Sequence, residues 1–365
     1  MTAQVVPAQP AIEQPTCEHV LAEVRNHIGH LTLNRPGALN VIGLEMVRSL
    51  HAQLNAWAVD DKIYAVVLRS TGDRAFCAGG DIRALYDSFL SHDRLHQDFF
   101  NEEYALDLAL HHYRKPVLAL MDGLVLGGGM GLAQAVDLRV VTERSRLAMP
   151  EVAIGYFPDV GGSYFLPRLP GQLGIYLGVT GVQIQAADAL YCGLADWYLH
   201  SQHLALLDSQ LDTMTWQTNP LKDLQGVLAS IACQHLPDPA LATLRPAIDH
   251  FFALPDIPSI VEQLRTVSVC DTHQWALSTA EVMETRSPLA MAVTLDMLRR
   301  GRRLSLEACF ALELHLDRQW FKRGDIIEGV RALIIDKDKK PHWNPSHISA
   351  LDADHVASFF SGQEA

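Results

Sequence analysis

Short apolar runs alternate with amphipathic stretches over the first two hundred residues. Residues 20–24 and Ile28–Leu33, separated around Asn26 and Gly29, read as a hairpin, and Asn34-Arg35-Pro36-Gly37 ends its second strand. Leu44, Val47, Leu50, Leu54 and Trp57 then recur at steps of three or four, which is one face of a helix. Residues 65–68 predict a buried strand. A turn at Thr71-Gly72-Asp73 leads into an extended segment over 75–81 and a helix through Leu85 and Phe89. A polar-rich helical stretch fills 91–114. Pro116 pushes Lys115 out of helical conformation and opens a strand over Val117–Met121. The glycine-rich run 122–131 precedes an apolar helix through Leu132 and Ala135, a strand over Leu138–Val141 and a helix over Leu173–Thr180. Alternation of this kind predicts an α/β domain.

Beyond residue 200 the periodicity is helical with few breaks. Ser287-Pro288 is a helix start, a hydroxyl cap followed by proline at the first helical position. A second helix runs from Leu306 to Phe321. At 365 residues and 48% hydrophobic, the chain can bury a large core. The formal charge of −13 argues against nucleic acid as a partner, because phosphate binding needs a basic footprint. Six cysteines lie scattered with no CxxC and no metal-ligand spacing, so they read as reduced thiols. No run is long enough to span a membrane, and residues 1–18 carry neither a secretory nor an Arg-rich targeting pattern. The expectation is a cytoplasmic protein with a flexible tail over 1–18, no membrane and no metal.

Chemistry concentrates in the segment 149–168, where Glu151 and Asp159 stand in an apolar, Gly- and Pro-broken context. A carboxylate held out of water has a raised proton affinity and serves as acid, base or nucleophile. Read alone, the same residues also suit a capped turn. Two glycine turns, Ala78-Gly79-Gly80 and Gly127-Gly128-Gly129, each precede a helix, where free backbone N–H groups can be aimed at a developing oxyanion. No G-x-S-x-G elbow, Walker lysine or H-E-x-x-H is present, and His111-His112 and the pair His200 and His203 lack a third ligand in pattern.

Together, Asn34-Arg35-Pro36, residues 75–82, Lys115-Pro116, Gly127-Gly128-Gly129 and Met149-Pro150-Glu151 resemble the enoyl-CoA hydratase/isomerase (crotonase) superfamily over about residues 19–200. Glu102-Glu103-Tyr104, Phe157-Pro158-Asp159-Val160-Gly161-Gly162, residues 164–168, 328–332, 336–338 and Pro341-His342-Trp343 extend the likeness to nearly the whole chain, and are most similar to its 3-hydroxyisobutyryl-CoA hydrolase branch. The resemblance implies a ββα spiral core over 19–200 completed by a helical region over 201–365, and a homo-oligomer, trimer or hexamer as in that superfamily. It implies an acyl-CoA substrate, with coenzyme A part of that substrate and no separate cofactor. Gly80 and Gly128 would supply the oxyanion N–H groups, Glu103 would contact the acyl hydroxyl, and Glu151 and Asp159 would be catalytic. The first glutamate of a hydratase would fall at Gly131, where none is present. Hydrolysis of a short β-hydroxyacyl-CoA, as in valine breakdown, is the expected activity, with a lyase or hydratase and a silent acyl-CoA-binding protein as the alternatives. Whether Glu151 attacks the carbonyl or activates water stays open, and Arg35, Arg83 and residues 299–303 are candidates for the CoA phosphates.

Overall fold

The computed structural model describes residues 17–233, 236–268 and 271–362, so most of the expected tail and Cys270 lie outside the described residues. Among the described residues there are ten strands: β1 Val20–Arg25, β2 Ile28–Leu33, β3 Ala65–Ser70, β4 Ala75–Cys77, β5 Val117–Met121, β6 Leu124–Leu126, β7 Leu138–Val141, β8 Arg146–Ala148, β9 Ile184–Gln185 and β10 Trp197–Tyr198. They form a six-stranded sheet, order β1-β2-β3-β5-β7-β10, and a four-stranded sheet, order β4-β6-β8-β9. The predicted hairpin is the antiparallel β1/β2 pair, and β2, β3, β5, β7 and β10 then add in parallel.

Three successive strand pairs, β3/β4, β5/β6 and β7/β8, each give their first strand to the large sheet and their second to the small one. A helical element follows every pair: Ile82–Ser91, Gly128–Gln134 and the 3-10 turn Glu151–Ile154. This is the ββα spiral expected from the resemblance. The strands β4, β6 and β8 run parallel, so the three loops that leave their carboxyl ends lie side by side. Those loops carry Ala78-Gly79-Gly80, Gly127-Gly128 and Met149-Pro150-Glu151. Reading the sequence placed no strand at β6 or β8, because three residues are too few for alternation to declare itself.

The chain beyond Tyr198 is helical among its described residues, with Ser287 capping the helix Pro288–Gly301 through a bond accepted from the Ala290 N–H, as its sequence predicts. Leu207, Leu211, Leu224 and Leu228 pack with Ile28, Val67 and Leu118 in one core, while Leu289, Met297, Leu316 and Trp320 join the main core of the spiral. The contacts fall on the segment that carries Glu151. Trp320 Nε1 donates to the Gly155 carbonyl at 2.7 Å, and the Ser287 N–H donates to the Val152 carbonyl at 3.2 Å. Asp325 accepts from Ser287 Oγ at 2.6 Å and from the Asn344 N–H at 3.0 Å, while its carbonyl presses on Gly155. Gly329, in the Glu328-Gly329-Val330-Arg331-Ala332 run, lies flat on the backbone of Ile154. Arg331 ties this region together by bonds to Glu328, Asp336 and Asp338 at 2.6 to 2.8 Å. Among the described residues no helix is long and apolar enough to cross a membrane.

A Cβ at Gly329 would run into the Ile154 carbonyl oxygen, which is backbone and cannot swing aside. Gly329→Ala should therefore cost about 1–3 kcal/mol of stability through overpacking, measured by denaturant unfolding. A midpoint equal to the parent's would show that the two segments are not pressed together.

Candidate active site

A cavity of about 160 Å³ opens where the three loops meet, and its lining includes Gly80, Glu103, Gly128, Glu151 and Asp159. All five residues singled out from the sequence are thus brought to one place. Gly128 is the first residue of the helix Gly128–Gln134, so its N–H has no intrahelical acceptor. Gly80 pairs with Ile42 through its neighbours' groups, the Gly79 carbonyl and the Asp81 N–H, which leaves its own N–H unengaged. The two glycines are close: a Cβ built on Gly128 would stand 3.6 Å from the Gly80 nitrogen and 2.5 Å from Glu103 Oε1. Any side chain at 128 would fill the space between the two amides. Gly127 completes the loop with φ +50°, in the left-handed region that side chains rarely adopt.

Glu103 reaches the cavity from the helix Leu95–His111, is 3% exposed, and its Oε1 has no hydrogen-bond partner. Glu151 begins the 3-10 turn after Pro150, and its Oε2 is likewise unpartnered. Asp159 is 5% exposed and accepts a 2.7 Å hydrogen bond from the Tyr104 hydroxyl at Oδ2. Val160, directly after it, has φ +51°, an unusual conformation for a β-branched residue, and Gly161 follows at +86°. The turn is held by Glu313, which accepts from the N–H groups of Gly161 and Ser163 at 2.8 Å each and from Ser163 Oγ at 2.5 Å.

Few cations balance these acids. Burial pushes the Glu103 and Glu151 carboxyls well above the usual range, with Asp107 adding to the first and Asp159 to the second. Asp159 is raised to about 7 by burial, against the hydrogen bond from Tyr104, which favours its charged form. Asp107, one helical turn beyond Glu103, is fully buried with neither oxygen bonded and is raised by burial and by Asp159. Asp317 accepts from the Tyr156 hydroxyl at 2.9 Å and is raised by burial to about 8.

Gly131 shows why the hydratase pattern is not one substitution away. A Cβ there would meet Val160 Cβ at 2.5 Å and Asp107 Oδ2 at 2.7 Å, so the room for a glutamate is already occupied. Sequence reading assigned no role to Tyr104, Asp107, Glu313 or Asp317. The available signal was the spacing of Glu103/Asp107 and Glu313/Asp317, like charges four apart on a helix, an arrangement that is unfavourable unless the groups are put to use. The basic candidates divide. Arg35 pairs with Asp81 at 2.8 Å beside the Gly80 loop, and Arg83 donates to the Ile334 carbonyl at 2.9 Å. Arg299, Arg300, Arg302 and Arg303 line a different cavity, which shares no residue with the one above.

The Enoyl-CoA hydratase/isomerase family matches residues 28–360. The chain belongs to that family. It is 40% identical to the mitochondrial 3-hydroxyisobutyryl-CoA hydrolase of Xenopus tropicalis, over 91% of this chain and 86% of that protein. Against the human protein of the same name identity is 34%, over 94% and 88%. Among solved structures, a carnitinyl-CoA dehydratase from Mycobacterium thermoresistibile superposes with a TM-score of 0.86 at 35% identity, covering 94% of this chain and 97% of that one. An enoyl-CoA hydratase from Rhodobacter sphaeroides 2.4.1 gives 0.84 at 33% identity, with the same coverage. The fold and the crotonase-type membership expected from the sequence both hold, and the curated relatives are named for the hydrolase branch. Those relatives are named mitochondrial, so the cytoplasmic expectation gains no support from them.

The raised carboxyls make stability pH-dependent in a defined direction. Asp159 and Asp317 ionise near 3.8 when unfolded and at about 7 and about 8 when folded, so unfolding releases protons between those values. Their contribution is complete below the unfolded value and is lost as pH rises through the folded one. His30 and His111, lowered by burial to about 3 and about 4, are neutral in both states above pH 7 and do not offset the trend there. The melting temperature of the unliganded protein should fall from pH 7 to pH 8.5, and less steeply in Asp317→Asn. A profile that rises over this interval would mean that these acids are ionised in the folded protein.

Proposed function

We propose that this protein hydrolyses a short β-hydroxyacyl-CoA thioester, with 3-hydroxyisobutyryl-CoA, giving 3-hydroxyisobutyrate and CoA, as the favoured substrate. The observation that carries this reading is that Glu151 and Asp159 line one small cavity with the Gly80 and Gly128 amides, with the space at Gly131 closed. Addition of water to a double bond, as in hydratases of the family, calls for two carboxylates over one face. Here the second carboxylate stands at Asp159 instead. Names of relatives at 34 to 40% identity support the same reading.

The thioester carbonyl oxygen lies between the amides of Gly80 and Gly128, which stabilise the oxyanion as it forms. Asp159, with its proton affinity near neutrality, takes the proton from the attacking water, the match of affinity to ambient pH that general-base catalysis favours. Glu151, kept protonated by burial, holds the water, gives its proton to the departing sulfur and regains one from the carboxylic acid product. Tyr104 and Glu313 are positioning residues: the first fixes the Asp159 carboxylate, the second its turn. Glu103 bonds the acyl hydroxyl through its free oxygen. No metal or redox group is needed, because the thiolate leaves readily.

Thiol release should follow mixing with 3-hydroxyisobutyryl-CoA, and Asp159→Asn should lower kcat about 10²–10⁴-fold, the usual reach of acid–base catalysis. Mass spectrometry of that variant during turnover should show unmodified protein. An acyl adduct on Glu151 would instead make Glu151 the nucleophile and confine Asp159 to the second step. Hydration of an enoyl-CoA without thiol release would favour the lyase reading.

Glu103→Ala should reduce kcat/KM for hydroxylated acyl-CoAs far more than for the matching unsubstituted ones. A site built to bond a hydroxyl discriminates for it by as much as about 10⁴-fold, whereas one methylene in an apolar pocket is worth only about 1–3 kcal/mol. Equal losses on both substrates would leave Glu103 with a structural role alone.

A further inference from the structure

A cavity of about 730 Å³ lies apart from the catalytic one, whose volume is about 160 Å³, and no residue lines both. Part of its wall is the end of the helix Pro288–Gly301 and the turn after it, which bring Arg299, Arg300, Arg302 and Arg303 to one space. Four cations within five residues stand out in a chain of formal charge −13. Two of them have work in the fold. Arg299 donates to the Leu254 and Pro255 carbonyls, and Arg300 stands 3.7 Å from Asp296 and over the Phe360 ring. Both also lie in the last helical turn, where cations offset the helix dipole. That account stops short of Arg302 and Arg303, which follow the helix end, are exposed, and have no hydrogen bond or ion pair to their guanidinium groups among the described residues. Asp296 is the only carboxylate among the residues that line the cavity. The same turn backs the turn of Asp159. Gly301 presses on the Ser163 carbonyl, where a Cβ would clash with backbone. Arg168 donates to the Tyr164 carbonyl at 2.7 Å and to those of Gly301 and Leu304 at 3.1 and 2.8 Å, which stitches the two turns together. Ser163 in turn shares Glu313 with Gly161, two residues past Asp159.

We propose that this cavity is a regulatory site for an anion carrying two or more phosphoryl groups, and that its occupation steadies the turn that presents Asp159. Planar guanidinium forks match phosphoryl oxygens bidentately, and the forks of Arg302 and Arg303 are the ones left uncommitted. The volume suits a small molecule, and Ile175, Leu298 and Leu304 add apolar surface beside the arginines, so a nucleotide and an inorganic polyphosphate share the required chemistry. Without an anion the like charges on the 299–303 turn repel one another. A bound polyanion removes that repulsion and draws Arg302 and Arg303 together over Gly301. The ligand therefore binds best when residues 301–304 are pressed onto Ser163, which is the differential affinity that any coupling between sites requires. The effect on turnover rests on the hydrolytic reading above, whereas binding and its effect on the turn do not.

Calorimetry on the full chain, with pyrophosphate and separately with ADP, tests binding. Pyrophosphate should bind, and more weakly as salt is raised. The double variant Arg302→Ala/Arg303→Ala should lose that binding, and Arg302→Lys/Arg303→Lys, which keeps the charge but not the fork, should weaken it. Tighter binding of ADP than of pyrophosphate makes the occupant a nucleotide; equal or weaker binding makes it an inorganic polyphosphate. Hydrogen exchange at the Gly161 and Ser163 amides, which needs no turnover, should slow when pyrophosphate is added to the parent and stay unchanged in the alanine variant. Both variants alter exposed side chains away from the catalytic cavity, so thiol release without added anion should match the parent's. Saturating pyrophosphate should raise the parent's kcat about fivefold, the low end of coupling between sites, and leave that of the alanine variant where it was. Thiol release by the parent alone tests hydrolysis separately, so its failure would leave the binding and exchange results standing. No binding to the parent, parental affinity kept by the alanine variant, Gly161 and Ser163 exchange indifferent to pyrophosphate, or an active parent whose kcat pyrophosphate fails to raise would each overturn the proposal.

Discussion

Several carboxyl groups are buried in one region with few cations to meet them, and much of the architecture follows from keeping them there. Isolated buried charge is costly enough that such groups hold their protons instead. Glu103, Asp107, Glu151 and Asp317 escape the cost by staying neutral under neutral conditions. Asp159 stands at about 7, where the Tyr104 hydroxyl gives back part of what burial removes.

The C-terminal helices brace the turns that carry the acids. The spiral core positions Gly80, Gly128 and Glu151 at the ends of three parallel strands. Trp320, Asp325 and Gly329 pin the 151–155 turn from outside, and Glu313 grips the turn that follows Asp159. The helix Leu306–Arg323 therefore reaches both carboxylate-bearing turns at once, at Gly155 through Trp320 and at Gly161 and Ser163 through Glu313. A change in the C-terminal region is expected to act on chemistry as readily as on stability.

The long elements were legible because their periodicity was sustained: the hairpin, the strand Val117–Met121 and the helix opened by Ser287-Pro288 all stand where the pattern put them. The five candidate residues named from the sequence line one cavity, since glycine turns and carboxylates in an apolar context leave a chemical mark on the sequence. What escaped was short or non-local. The strands β6 and β8 span three residues each, and their partners lie in other turns of the spiral, so their pairing is a tertiary fact. Tyr104 and Asp159 are 55 residues apart and Ser163 and Glu313 150 apart, distances over which one sequence carries no trace of contact.

Gly131 and Asp107 explain why this site is more than a hydratase with one residue missing. Removal of a glutamate from position 131 leaves a void, and a void in a packed interior either collapses or takes up water. Here Val160, in its left-handed conformation, and Asp107, from the neighbouring helix, occupy that volume. The same backbone twist at Val160 directs the preceding residue, Asp159, toward the cavity. The chain that closes over Gly131 is thus the chain that presents Asp159. A glutamate restored at 131 would have to displace Val160, and with it the carboxylate on which the proposed hydrolysis depends.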